Sequence, residues 1–313
     1  MRLLITGSRG FIGGSLGRSF ARRGYSVLGV GRASQPPPDW PGEYVQADVA
    51  HADIADLVRD FRPEGVLHAA GPASVGGSFA DPQEDLRASL LPSANILDCI
   101  RRSGARPLVV FFSSAAVYGQ PERLPVDEAQ PVAPISPYGF HKAASELLAR
   151  EYAECFGQEI LVCRLFSVFG SEQRRLLVWE LYEQLRSPSD TVWLEGTGEA
   201  SRDYLDVRDI GDAVEALLRR RDALGGGCSI VNVGRGEETQ VAVLAEQLRD
   251  RLAPEKDVRW RGRSRPGDPL RWCADTARLR AFVPEWSPRP LSAALEECLR
   301  VWESQQDAVT VGD

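Results

Sequence analysis

Tyr138 and Lys142 stand four residues apart at the head of a stretch with helical character, so a helix there carries both side chains on one face. A free phenol titrates near about 10 and is a poor base at neutral pH. An adjacent ammonium, or a positively charged ring close by, favours the phenolate. Such a pair can take the proton from a carbinol while hydride leaves its carbon. Ser114, at the end of an apolar run, supplies a second hydroxyl for the reacting oxygen. Tyr-x-x-x-Lys also occurs as a plain surface pair on helices, so its meaning depends on the elements that position it.

The first of these is the segment from Met1 to Arg32. A short apolar run at Leu3-Leu4-Ile5 leads into a turn with Gly7, Gly10 and Gly13, then a stretch of helical length, then a second apolar run from Val27 to Val30. Strand, glycine turn, helix, strand is the order in which a backbone wraps a pyrophosphate. One glycine permits the tight turn, one lets the main chain approach the phosphate, and one lets helix and strand pack closely. The helix N-terminus behind Phe11 and Ile12 then offers free N–H groups and a positive dipole end. We therefore expect a bound dinucleotide, NAD or NADP. Where an NAD site places a carboxylate after the second strand, this chain has Gly31-Arg32. A guanidinium there suits a 2′-phosphate, which tilts the expectation toward NADP.

Downstream, apolar runs at Tyr44–Ala47, Val66–Ala70, Leu108–Ser113 and Ile160–Phe166 alternate with helical segments at Ile54–Phe61, Asp85–Arg102 and Tyr138–Phe156. Pro92 must sit in the early turns of its helix or kink it. This alternation predicts an α/β fold with a doubly wound parallel Rossmann sheet, helices on both faces. Beyond Gly170 it loosens: helices at Leu176–Leu185, Ile210–Arg220 and Val241–Leu252 are mixed with short strands at Thr191–Leu194 and Ser229–Val233. We read residues 1–170 as the dinucleotide-binding domain and 171–313 as a smaller mixed α/β lobe that closes a cleft over it, with some exchange of strands and helices between the two.

The totals exclude several alternatives. A net charge of −7 argues against nucleic acid or an anionic membrane as partner. Six cysteines are scattered without a C-x-x-C pair, and with three histidines they give no metal site. The chain starts directly on a strand without a leader segment, and no apolar stretch approaches the ~20 residues that cross a bilayer. A cytoplasmic protein is expected.

Taken together, Thr6–Gly13, Asp48-Val49, His68–Gly71, Ser113–Gly119, Ser136–Lys142, Ser201–Tyr204 and Arg265–Asp268 resemble the extended short-chain dehydrogenase/reductase family, within it the sugar-nucleotide epimerase and dehydratase group. The resemblance spans nearly the whole chain. It implies that Ser114, Tyr138 and Lys142 are catalytic, with Lys142 also on the nicotinamide ribose. It places Asp48 and Val49 on adenine, and Ala69, Ala70, Gly71 and Ser113 along the cofactor. It implies a nucleoside diphosphate sugar as substrate, its diphosphate gripped by Arg202 and Arg265 and its ribose by Asp268, with Ser78 and Ser167 in the same site. Helices near Asp85–Arg102 and Tyr138–Phe156 resemble those that pair subunits into a homodimer.

Departures from the group pattern narrow the reaction. Ala115 and Ala116 follow Ser114 where dehydratases carry an acid, which disfavours 4,6-dehydration. Ser167 replaces an asparagine that touches the substrate phosphate in relatives, with Arg174 or Arg175 available to compensate; Ser89 replaces another asparagine. A nucleotide-sugar epimerase acting at C4 through a 4-keto intermediate is the first expectation. An NADPH-dependent reductase of a 4-keto-6-deoxy nucleotide sugar is the second. A non-catalytic cofactor sensor would be expected to have lost Tyr138 or Lys142, and both remain.

Overall fold

A computed structural model describes residues 1–263 and 266–310, with side chains through 305. The first half alternates strand and helix: β1 (Arg2–Thr6), α1 (Phe11–Arg22), β2 (Ser26–Gly31), β3 (Glu43–Gln46), α2 (Ala55–Phe61), β4 (Gly65–His68), α3 (Val75–Ala80), α4 (Pro82–Ser103), β5 (Leu108–Ser114), α5 (Pro137–Phe156) and β6 (Glu159–Leu165). The second half contributes β7 (Ser167–Phe169), α6 (Leu177–Arg186), β8 (Thr191–Leu194), β9 (Ser201–Arg202), β10 (Tyr204–Asp206), α7 (Val207–Arg219), β11 (Cys228–Val233), β12 (Thr239–Gln240), α8 (Val241–Leu252), β13 (Asp257–Trp260), α9 (Ala277–Phe282) and α10 (Leu291–Thr310).

Seven parallel strands form one sheet in the order β11-β6-β5-β4-β1-β2-β3. The order reverses between β1 and β4, the position at which such sheets bind ligands outside the strand ends. Alternation along β1 divides the core. Leu3 and Ile5 pack with α1 and α7 residues such as Leu16, Phe20 and Leu217 on one face, while Leu4 packs with Val58, Ile96 and Ala149 of α2, α4 and α5 on the other. A third cluster around Tyr182, Leu244 and Trp302 holds α6, α8 and α10 together.

The seventh strand of the nucleotide sheet, β11, comes from the second half of the chain, and α7 packs on α1, an exchange of elements between the two parts of the kind expected. α4 begins at Pro82, with Asp81 accepting from the Glu84 N–H at 2.9 Å, so Pro92 lies mid-helix rather than in the first turns. Its missing N–H leaves the carbonyl of Ala88 without its helical donor.

Candidate active site

The glycine turn is shaped as its spacing predicts. Gly7 has φ +66°, and a Cβ there would lie 2.5 Å from the Ala69 carbonyl oxygen. A Cβ on Gly13 would lie 2.4 Å from the Gly7 carbonyl oxygen, whereas one on Gly10 would meet that atom at a milder 3.1 Å. Gly10 caps α1, whose first turn carries no acidic residue, so its N–H groups and dipole face an uncompensated anion position. This cradle fits a dinucleotide pyrophosphate, flanked by Phe11, Ile12 and, across the switch point, by Ala69, Ala70 and Gly71. Asp48 is exposed and closes a turn by accepting from the Ala50 N–H at 3.1 Å; Val49 behind it is buried.

Beyond β2, Arg32 is exposed and no carboxylate stands at the strand end. Sequence reasoning overlooked Arg9, inside the glycine turn itself. Its guanidinium donates to the carbonyls of Gln35 and Pro36 at 3.0 and 2.9 Å, so the loop after Arg32 is tied down beside the turn. The three-residue Gly7-Ser8-Arg9-Gly10 spacing was the available signal.

The second element is the start of α5. Ser136 caps it, accepting from the Gly139 N–H at 3.1 Å, and Pro137 opens it. The Tyr138 N–H donates to Ser78 Oγ at 3.0 Å, while the Ser78 hydroxyl donates to the Val75 carbonyl at 2.7 Å. Ser78 is fully buried and both bonds are internal, so it ties α3 to the helix that carries Tyr138.

Tyr138 and Lys142 lie on the inner face of α5, as a four-residue step requires, and Ser114 bonds the phenol from the end of β5. Burial pushes the Tyr138 phenol up to about 12, partly offset by the Ser114 hydrogen bond. Lys142 is pulled down to about 8 by burial, opposed by the carboxylates of Asp85 and Glu146. Its ammonium donates to the Phe112 carbonyl at 3.1 Å and sits 5.7 Å from the Tyr138 ring centre, close enough to favour the phenolate through space. Asp85, buried on α4, binds His141 Nδ1 at 2.6 Å beside this pair. His68 is driven down to about 3 by burial and by the nearby Lys142, so it remains neutral and bonds Thr6 Oγ1 at 2.9 Å. The Ser113 hydroxyl donates to Glu146 Oε1 at 2.5 Å. Ser89 Oγ is buried without a partner among the described residues.

Opposite, a cluster of Ala115, Ala116, Tyr138, Phe166 and Trp272 joins the end of β5 to the second half of the chain. Arg202 lies over the Trp272 ring at 5.4 Å, with Asp268 4.0 Å from its guanidinium. A Cβ on Gly267 would touch the Phe79 ring and Ser136, so this segment leans directly on α3 and the head of α5. Arg265 lies outside the described residues. Ser167 is half-buried on β7, paired with Tyr204.

Arg174 donates to the carbonyls of Ser171 and Gln173, bonds Gln305, and stacks over Trp179 at 4.5 Å. Its exposed neighbour Arg175 instead acts on the Tyr138 phenol, lowering its pKa. Leu176 follows with φ +69°, a strained conformation for a branched side chain, and it sets the direction of this loop.

A glycine-cradled dinucleotide site beside a Ser-Tyr-Lys group, both at the switch point of a parallel sheet, defines the short-chain dehydrogenase/reductase class of enzymes. Residues 3–234 match the NAD dependent epimerase/dehydratase family, and the chain belongs to it. It is 31% identical to a UDP-glucose 4-epimerase of Mycolicibacterium smegmatis, over 92% of this chain and 94% of that one. It is 29% identical to a GDP-6-deoxy-D-mannose reductase of Pseudomonas aeruginosa, over 97% and 98%. The solved structure of MoeE5 in complex with UDP-glucuronic acid and NAD superposes with a TM-score of 0.87 at 25% identity, covering 97% of this chain and all of that one.

Proposed function

We propose that this protein is a nucleotide-sugar epimerase that inverts C4 through a transient 4-keto sugar. The observation that carries the reading is the Ser114–Tyr138–Lys142 group beside the glycine cradle, with buried alanines at 115 and 116 where an acid for water elimination would stand. When bound, the nicotinamide cofactor supplies the hydride acceptor and donor, and its positive oxidised ring favours the Tyr138 phenolate. Tyr138 takes the proton from the sugar O4 and returns it after the keto sugar has turned its other face. Ser114 holds O4 throughout, and Lys142 keeps the phenolate charge balanced. Arg202 with Arg265 grips the diphosphate, Asp268 holds the ribose, and Ser167 and Arg175 lie toward the sugar; the 171–313 lobe supplies most of this wall.

Gly7, Gly10 and Gly13 hold the pyrophosphate, Asp48 and Val49 the adenine. We further assign NADP as the better-held cofactor, on exposed Arg32 with no carboxylate after β2 and on Arg9 in the glycine turn. The same feature, with the reductase relative, supports the second reading, reduction of a 4-keto-6-deoxy nucleotide sugar by NADPH. Exposed Leu86 and Leu91 on α4 and Phe140 and Leu147 on α5 support a homodimer formed through these helices. Six free thiols suit the reducing cytoplasm, and no described helix is long and apolar enough to cross a membrane. Mass spectrometry of small molecules released on denaturing the purified protein tests the choice. Stoichiometric NAD or NADP supports the epimerase, because a cofactor regenerated each turnover need not leave; a site that empties on purification and refills from NADPH supports the reductase.

A further inference from the structure

Beneath the proposed catalytic group runs a buried polar row that the chemistry does not use. Ser113 of β5, Arg164 of β6 and Asn232 of β11 stand in register on three adjacent strands. Glu146 reaches this row from α5, one turn beyond Lys142. The Arg164 guanidinium grips its carboxylate with two bonds, at 3.0 Å to Oε1 and 2.7 Å to Oε2, and the Ser113 hydroxyl donates to Oε1. The third arm of Arg164 donates to the Tyr118 hydroxyl at 2.9 Å, which donates in turn to Asn232 Oδ1 at 2.7 Å. Asn232 is anchored on the Val126 carbonyl at 2.8 Å and its N–H on Glu128 at 2.7 Å. Arg164 and Glu146 are 3% and 8% exposed.

Stability alone does not explain this row. Removing two charges from water costs several kcal/mol per ion before their attraction offsets it, and well-packed apolar residues of the same volume often hold a core as well. A polar network provides direction, because each bond fixes an angle as well as a distance. The directions fixed here concern Ser114. Ser113 precedes it, and Tyr118 ends the single 3₁₀ turn, Ala115–Tyr118, that Ser114 caps. Both flanks of Ser114 are thus tied, through one guanidinium and one carboxylate, to the helix that carries Tyr138 and Lys142.

We propose that the Glu146–Arg164 pair, with Tyr118, is a positioning device that holds Ser114 in register with Tyr138 and Lys142. None of the three touches a reacting atom. The inference rests on the reading of Ser114 and Tyr138 as the groups that hold the reacting oxygen, and its test needs cofactor but no substrate. The charged groups acting on Tyr138 are Asp85 from α4 and Arg175 from the loop after β7, with the Lys142 ammonium 5.7 Å from its ring on the same helix and Glu146 acting on Lys142.

Two variants separate positioning from packing. Tyr118→Phe cuts the link to the far flank of Ser114 and changes no charge; Glu146→Gln with Arg164→Met removes the pair together and leaves no lone buried charge. Each is titrated in the NAD-bound form by ultraviolet difference absorbance, with Tyr138→Phe in the same background assigning the signal, and melting is followed in parallel. A displaced Ser114 bonds the phenolate less well, so the Tyr138 midpoint rises by about one pH unit in both variants. With a substrate in hand, kcat falls on the order of 10- to 100-fold while KM stays within about twofold, the scale of a 1 Å misplacement. Folded variants whose melting temperature falls but whose Tyr138 midpoint and kcat equal the wild type would overturn the proposal. If the double variant does not fold, Tyr118→Phe decides alone. Wild-type protein that turns over no sugar nucleotide sinks the functional reading, and the midpoint still decides this inference.

Discussion

Gly13→Ala is the sharpest probe of the cofactor cradle. The added methyl lies 2.4 Å from the Gly7 carbonyl oxygen and 2.9 Å from the carbon behind it, against ordinary contact from 3.4 Å. The obstacle is main chain on one side and helix on the other, so about 1 Å must be found by moving the head of α1 off the turn. Overpacking of this kind costs about 1–3 kcal/mol. At about 1.4 kcal/mol per decade, the affinity for NAD falls roughly 5- to 150-fold if the whole displacement is felt at the pyrophosphate. Calorimetric titration with NAD, beside thermal melting, measures it. Gly24→Ala is the control: φ +84° with open space around the new methyl, so backbone strain lowers the melting temperature and leaves NAD affinity unchanged. Gly13→Ala binding NAD within twofold of wild type, or Gly24→Ala losing as much, would refute the cradle geometry.

The other predictions address the chemistry. Tyr138→Phe is expected to reduce turnover at least about 100-fold, the lower end for a lost acid-base group, while NAD affinity stays within about threefold; substantial residual activity removes Tyr138 from the mechanism. The pH–rate profile at saturating cofactor should fall above about 8 as Lys142 loses its ammonium; a profile flat to pH 10 would contradict a charged Lys142. Arg32→Ala should weaken NADP at least tenfold more than NAD by equilibrium titration, since one charge-assisted phosphate contact contributes about 1.5–3 kcal/mol. Equal loss for both cofactors would show that Arg32 does not read the 2′-phosphate.

The sequence was most legible where local pattern and tertiary role coincide. The edges of β8 and α8, Thr191–Leu194 and Val241–Leu252, are those the apolar periodicity predicts, and the glycine turn carries its conformation in its residue types. α3 was not visible: six residues, Val-Gly-Gly-Ser-Phe-Ala, with two glycines have weak propensity for a helix, and it stands because Ser74 caps it and Ser78 joins it to α5. Arg174 and Arg175 are equivalent as neighbours in sequence; the fold distinguishes them, setting Arg174 over the Trp179 ring and Arg175 within reach of the Tyr138 phenol. The pairing of Glu146 with Arg164, and of Ser113 with both, depends on strand register, which single-chain pattern does not specify. β11 joins the first sheet because β6 presents an open edge on that side, a fact of topology rather than of its six residues.

The measurement that bears most directly on the central claim is NMR analysis of the products formed from a UDP-hexose carrying deuterium at C4, with no added reductant. Hydride returned within one site predicts the C4 epimer with deuterium retained at C4. Absence of the epimer from any of the common UDP-sugars, or an epimer with the label washed out to solvent, would contradict it.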